Sequence, residues 1–203
     1  MLEKSSIAQR RSALSALAPH CKPSADNQPL PVAIRPLQAE ARWALRLPEG
    51  DAAKLTAVAG FQLDQPINRF RMHEGRSAAR LGPDEWLLLA PEADAEMVAA
   101  ELTAGLKGQH HALVDISHRN VGLMVSGPAA AIVLNAGCPL DLHPDRFPPG
   151  MATRTLLGKC EILLYRVDHG PNAAPAYRIE CARSYATYVS AFLTEAAREF
   201  QTK

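Results

Sequence analysis

Residues 114–142 read VDISHRNVGLMVSGPAAAIVLNAGCPLDL, and this stretch sets the syntax for the rest of the chain. After the polar cluster Asp115-Ile-Ser-His-Arg-Asn120 comes Val121-Gly-Leu-Met-Val125, a short apolar run with β-branched ends. It predicts a strand buried on at least one face. Ser126-Gly-Pro128 breaks the run. Ser126 is placed to cap a helix and Pro128 brings the φ that a first turn accepts, so residues 129–135 are predicted helical, with Ile132 and either Leu134 or Val133 turned inward. Gly137 stands where a left-handed cap ends a helix, and Pro139 forbids continuation.

The same order occurs upstream. Trp43, Leu45 and Leu47 alternate with Ala44 and Arg46 as in a half-buried strand, and Pro48-Glu-Gly-Asp51 makes the corner. Asp51 is placed to cap a helix over residues 52–59, which Gly60 ends. Asp141 minus Asp64 is 77, and Gly137 minus Gly60 is again 77. The second halves align too: Glu85-Trp-Leu-Leu-Leu-Ala90 leads into a predicted helix 94–106, as Tyr177-Arg-Ile-Glu-Cys-Ala182 leads into 184–200. A closing strand, residues 112–116, follows the first copy, and none is evident after the second. Strand, helix, strand, strand, helix is the split βαβ order, with helices on one face of an antiparallel sheet. The fold class is therefore α+β, with two ferredoxin-like units at 39–117 and 118–203 in one compact structural domain, preceded by an extended arm at 1–38.

The arm is rich in Pro, Ser, Gln and Asn, a composition with too few apolar groups for a core of its own. It is expected either to be disordered or, the preferred reading, to lie across a partner, with Leu14, Leu17, Leu30, Val32 and Ile34 entering partner pockets. Trp86, behind the turn Gly82-Pro-Asp-Glu85, is either an interface anchor or a core residue.

With 22 basic against 21 acidic residues there is no electrostatic footprint for nucleic acid or an anionic membrane. No stretch approaches the ~20 apolar residues of a membrane span. The four cysteines show no C-x-x-C spacing, which argues against zinc; Cys160 and Cys181 sit in apolar runs and are expected as buried thiols in a reducing cytosol.

Asp115, Ser117 and His118 do not form a hydrolytic triad at such close spacing, because triads join distant parts of a fold. They fit a turn in which Asp115 or Ser117 accepts backbone N–H groups, leaving His118 and Arg119 partly exposed; the competing role is partner contact, with Arg119 forking to a carboxylate or carbonyl. His110-His111 points to opposite faces if it lies in a strand, which does not suit one metal ion. No dinucleotide or P-loop fingerprint is present, so no catalytic, cofactor-binding or metal residue is assigned to this chain.

The segment DISHRNVGLMVSGPAAAIVLNAGCPLDL, with Phe147-Pro-Pro-Gly-Met151 and Thr153-Arg-Thr-Leu-Leu-Gly-Lys159 behind it, resembles the gamma subunits of heterotetrameric sarcosine oxidases. It is more distantly similar to aminomethyltransferases such as the glycine-cleavage T-protein, whose pattern is D-x-S-H, a strand, then G-x-x-A and a helix. The resemblance extends from Leu81-Gly-Pro-Asp-Glu-Trp86 to Leu193. It implies an aminomethyltransferase-like fold and an accessory, non-catalytic subunit partnered by alpha, beta and delta subunits. On those partners it implies FAD, FMN, NAD and tetrahydrofolate. The alternative is a free-standing folate-binding protein, which the length disfavours because those enzymes carry additional domains. A small hydrolase, the third class, lacks a spaced nucleophile and base.

Overall fold

The computed structural model describes residues 13–14, 31–167 and 173–200. In chain order the elements are β1 (Ala33–Pro36), β2 (Glu40–Arg46), α1 (Glu49–Leu55), the small hairpin β3 (Ala57–Val58) and β4 (Phe61–Gln62), β5 (Arg69–His73), β6 (Arg76–Gly82) and β7 (Glu85–Pro91). Then follow α2 (Ala95–Gly105), β8 (Ala112–Asp115), β9 (Asn120–Ser126), α3 (Ala130–Asn135), β10 (Ala152–Leu157), β11 (Cys160–Arg166), β12 (Ala176–Ala182) and α4 (Ala186–Ala196).

Two five-stranded antiparallel sheets result, ordered β5-β6-β7-β2-β8 and β10-β11-β12-β9-β1. They match position for position. In each, a split βαβ unit carries one added edge strand, β5 or β10, and main-chain bonds stitch these two edges together: Phe70 N–H donates to Gly150 O (2.9 Å) and Ala152 N–H to Asn68 O (3.0 Å). The expected duplication is present as two sheets of the same order, but the first strands, Glu40–Arg46 and Asn120–Ser126, match at an offset of 80 and not 77, while Glu85–Pro91 and Ala176–Ala182 keep the offset of 91.

The strand alternation divides the interior into three layers of contact. On β7, Trp86, Leu88 and Ala90 pack with Val98, Leu102 and Leu106 at α2, while Leu87 and Leu89 face the second sheet. On β12, Tyr177, Ile179 and Cys181 pack with Val133, Leu134, Val189 and Leu193 of α3 and α4. Phe70, Leu87, Leu89, Leu163 and Tyr165 meet between the sheets, with the rings of Phe70 and Tyr165 edge-to-face at 5.2 Å. Helices cover the outer face of each sheet, and the inner faces cover one another. Both faces of the central strands are therefore dry, which explains the unbroken apolar runs at Trp86–Ala90 and Ile162–Tyr165.

The strand missing after the second copy comes from the other end of the chain. β1 pairs antiparallel with β9, Ala33 opposite Ser126 and Pro36 opposite Leu123, in the place that β8 takes beside β2. This corrects the expected role of the arm. Leu14 (1 % exposed), Val32 (1 %) and Ile34 (8 %) are buried in the second unit's own core rather than offered to a partner. Leu17 and Leu30 lie outside the described residues.

Five local expectations also change. Ile132 is exposed, and Ala130, Val133 and Leu134 are the buried side of α3. No side chain caps α3: Ser126 closes β9, and the chain turns at Gly127, whose N–H donates to Pro175 O (2.9 Å). Gly137 is needed for space and not for a left-handed φ, since a Cβ there would stand 2.5 Å from Phe192 Cζ. Upstream, α1 starts before Asp51, and Gly60 (φ +74°) turns the β3–β4 hairpin instead of ending a helix.

Candidate functional site

The alternation that sends Ala41 and Trp43 toward α2 sends Glu40 and Arg42 of β2 between the sheets; on β12 it sends Arg178 and Glu180 there too. Four charges meet. Arg42 donates through Nε to Glu180 Oε2 (2.8 Å) and through Nη2 to Glu180 Oε1 (3.2 Å). Arg178 donates through Nε to Glu180 Oε1 (3.0 Å) and through Nη1 to Glu40 Oε1 (3.0 Å). Arg42 also donates through Nη1 to the Glu40 carbonyl (2.8 Å). Each sheet gives one Arg and one Glu, and each Arg reaches across to the Glu of the other sheet. The group is charge-neutral. Burial acts to raise the Glu180 pKa, but Arg178 and Arg42 more than reverse it and hold the carboxyl below its ordinary value. Room for it comes from Gly122, directly opposite on β9, where a Cβ would stand 2.9 Å from Glu180 Oε1. The neighbouring Tyr165 hydroxyl is buried with no hydrogen-bond partner among the described residues, and burial drives its pKa upward.

The Asp115–Arg119 segment joins the two sheets next to this group. Asp115 Oδ1 accepts the Ser117 N–H (2.8 Å), and Ser117 Oγ accepts the Arg42 N–H (2.9 Å), so the motif is a turn tied to β2. His118 and Arg119 are exposed. A cavity of about 180 Å³ lies beside the turn, lined by Glu40, Arg42, Glu92, Ser117, His118 and Arg183 among others.

A larger cleft of about 510 Å³ opens between the sheets and includes Arg119, Arg154, Lys159 and Tyr185 in its walls. Glu85 of β7 and Arg154 of β10 close a two-pronged ion pair across it, one prong at 2.9 Å. The Arg154 hydrogen bond keeps the Glu85 carboxyl below its ordinary pKa against the effect of its partial burial.

Trp86 is fully buried, donates through Nε1 to Leu63 O (3.2 Å) and lies under Arg80 at 5.2 Å. It is a core residue and not an interface anchor. Of the expected interface residues that the structure describes, His118 and Arg119 lie together on the surface. Glu40, Arg178 and Glu180 were not anticipated. Their signal was present in Tyr177-Arg-Ile-Glu-Cys181, where two charges at alternate positions interrupt a strand that is apolar on both sides. Among the described residues no group of three His, Cys, Asp or Glu is placed to hold a metal. Cys138, Cys160 and Cys181 are buried free thiols, and burial pushes Cys181 up to about 12. No helix among the described residues is long and apolar enough to cross a membrane.

Comparison with known proteins places this geometry. A family model described as sarcosine oxidase, gamma subunit family, matches residues 48–199. The chain belongs to that family. It is 37 % identical to the sarcosine oxidase subunit gamma of an Arthrobacter species over 138 residues, 66 % of this chain and 67 % of the relative. Against the gamma subunit of Corynebacterium sp. strain P-1 it is 37 % identical over 155 residues, 76 % and 73 % of the two chains. A chain of the heterotetrameric sarcosine oxidase from Corynebacterium sp. U-96 superposes with a TM-score of 0.80 at 28 % identity, covering 96 % of this chain and 97 % of that one. The aminomethyltransferase T of the Bartonella henselae glycine cleavage system shares the fold, with a TM-score of 0.62 at 18 % identity over 81 % of this chain and 45 % of that one.

Proposed function

We propose that this gamma-subunit family member is the accessory, non-catalytic subunit of a heterotetrameric sarcosine oxidase, bound to the alpha, beta and delta subunits in the cytoplasm. One observation carries it: end-to-end correspondence with a chain of such a heterotetramer, 96 % against 97 % at a TM-score of 0.80. The interior chemistry supports a scaffolding role. The charges between the sheets answer one another, Arg42 and Arg178 against Glu180 and Glu40, and hold two units in register. FAD, FMN, NAD and tetrahydrofolate belong to the partner subunits in this reading. There sarcosine is oxidised to glycine, oxygen is reduced to peroxide and the one-carbon unit passes to tetrahydrofolate.

Co-expression with the other sarcosine oxidase subunits tests it. The chain, tagged, should bring down the flavin-containing subunits at equal stoichiometry, and the chain expressed alone should fold without flavin absorbance or sarcosine oxidation. Stoichiometric flavin in the isolated chain, or failure to recover partners, overturns the proposal.

A further inference from the structure

The cleft between the sheets contains charges that the fold itself does not use. Arg154 is answered by Glu85 and lies within the field of Glu161. Arg119 and Lys159 line the same cleft, and neither side chain makes a hydrogen bond or ion pair with another described residue. Two large groups at its walls remain wet: Leu156 is 48 % and Tyr185 50 % exposed, although both are on or beside a sheet most of whose large apolar residues are buried. Ile116 and Leu81, half-buried, continue the apolar surface.

We propose that this cleft is a docking groove for an extended segment of a partner sarcosine oxidase subunit that carries a carboxylate among apolar side chains. The inference rests on the gamma-subunit reading and adds to it the surface and the chemistry of the contact. Arg119 supplies the forked donor that matches a carboxylate in two parallel hydrogen bonds, and Lys159 supplies a second positive charge. Leu156, Tyr185 and Ile116 bury the apolar neighbours, and Tyr and Arg are the side chains that carry most binding energy at protein contacts. Glu85 and Glu161, on the same walls, repel a polyanion, which sets the groove apart from a nucleic-acid surface. The turn that presents Arg119 is pinned by Asp115 and Ser117, and its carbonyl accepts the Arg183 N–H at 2.7 Å, so the guanidinium is offered from a fixed backbone.

The test is co-expression of the whole complex with Arg119→Glu, Lys159→Glu or, as a surface control, Arg146→Glu in this chain, followed by capture at increasing salt and quantitation of each retained subunit. Both cleft variants should weaken retention roughly tenfold or more, with the wild-type contact weakening as salt rises, and the control should behave as wild type. Thermal unfolding of each isolated variant checks folding, which these exposed positions should leave unchanged. Retention of both cleft variants at the wild-type level, or equal loss in the control, overturns the groove while leaving the subunit assignment intact. Failure of the wild-type chain to retain partners overturns the assignment itself. Saturable binding of free glutarate to the isolated chain, lost in Arg119→Glu without loss of assembly, would make the cleft a small-molecule site and also overturn the groove.

Discussion

Gly122 and Glu180 face each other across β9 and β12, and that single missing side chain lets a buried carboxylate meet two guanidinium groups. An alanine there would put its Cβ 2.9 Å from Glu180 Oε1 and 2.9 Å from Leu37 Cδ1. The Leu37 methyl can rotate away, but the carboxylate is held by Arg42 and Arg178, and Leu37 Cβ, 3.3 Å from the added carbon, follows a backbone whose N–H is bonded to Gly122 O at 2.9 Å. Gly122→Ala should therefore destabilise by about 1–3 kcal/mol, the cost of overpacking, and lower the urea midpoint. In open space the same change would stabilise slightly by stiffening the unfolded chain, so a raised midpoint would mean that the site has slack. At this scale the sequence was partly legible. The turn made by Asp115 and Ser117 could be read from residue type and spacing, because its bonds are local. The Arg42–Glu180 contact spans 138 positions and leaves no local signature beyond two unexplained charges in a strand.

Among the elements, β1 departs most from its sequence expectation. Four residues, Ala33–Pro36, are too short and too Pro-bounded to declare a strand, yet they close the second sheet because β9 has an unpaired edge and Val32 and Ile34 have a core to enter. Removing residues 1–36 should thus cost this subunit at least ~5 kcal/mol from lost apolar burial and ladder pairing, and lower Tm by on the order of 10 °C or more. The duplication offers a sharper test. In the first unit the edge strand β8 follows α2 in the chain, whereas in the second it precedes everything. A chain starting at residue 38, with residues 31–37 joined after residue 203 by a flexible linker, should regain most of the lost Tm by adding the strand beside β9 from the opposite end. No recovery would mean that residues before 31, including the buried Leu14, contribute more than the strand itself.

Over the described residues, ionic links join the sheets at the Glu40–Arg42–Arg178–Glu180 group between them and at Glu85 with Arg154 across the cleft. The Glu180 and Glu85 carboxyls are held below the ordinary value of 4.5 in the folded chain. A depressed folded pKa favours the folded state above the unfolded pKa, and that contribution is lost as pH falls through the depressed value. Stability measured by denaturant should therefore be nearly flat from neutral pH down to about 5 and then fall steeply. Glu180→Gln should lose about 3–5 kcal/mol at pH 7, because it leaves two buried guanidinium groups facing one remaining carboxylate, and should flatten the acid limb. An unchanged acid limb in Glu180→Gln would assign the pH dependence to exposed carboxylates instead.

What the sequence determined by itself was everything encoded over short distances. The strand–helix–strand–strand–helix order, its repetition along the chain, the turn at Asp115–Ser117 and the family pattern around it all depend on neighbours within a few residues. The tertiary structure decided which faces are covered. A strand's own residues show that both sides are apolar but not whether a helix or a second sheet lies over each, and only the packed chain puts Leu87 and Leu89 against Leu163 and Tyr165. It also decided that the arm is part of the core, because an edge strand gains its hydrogen bonds and burial from β9, almost ninety positions away, and not from its own composition.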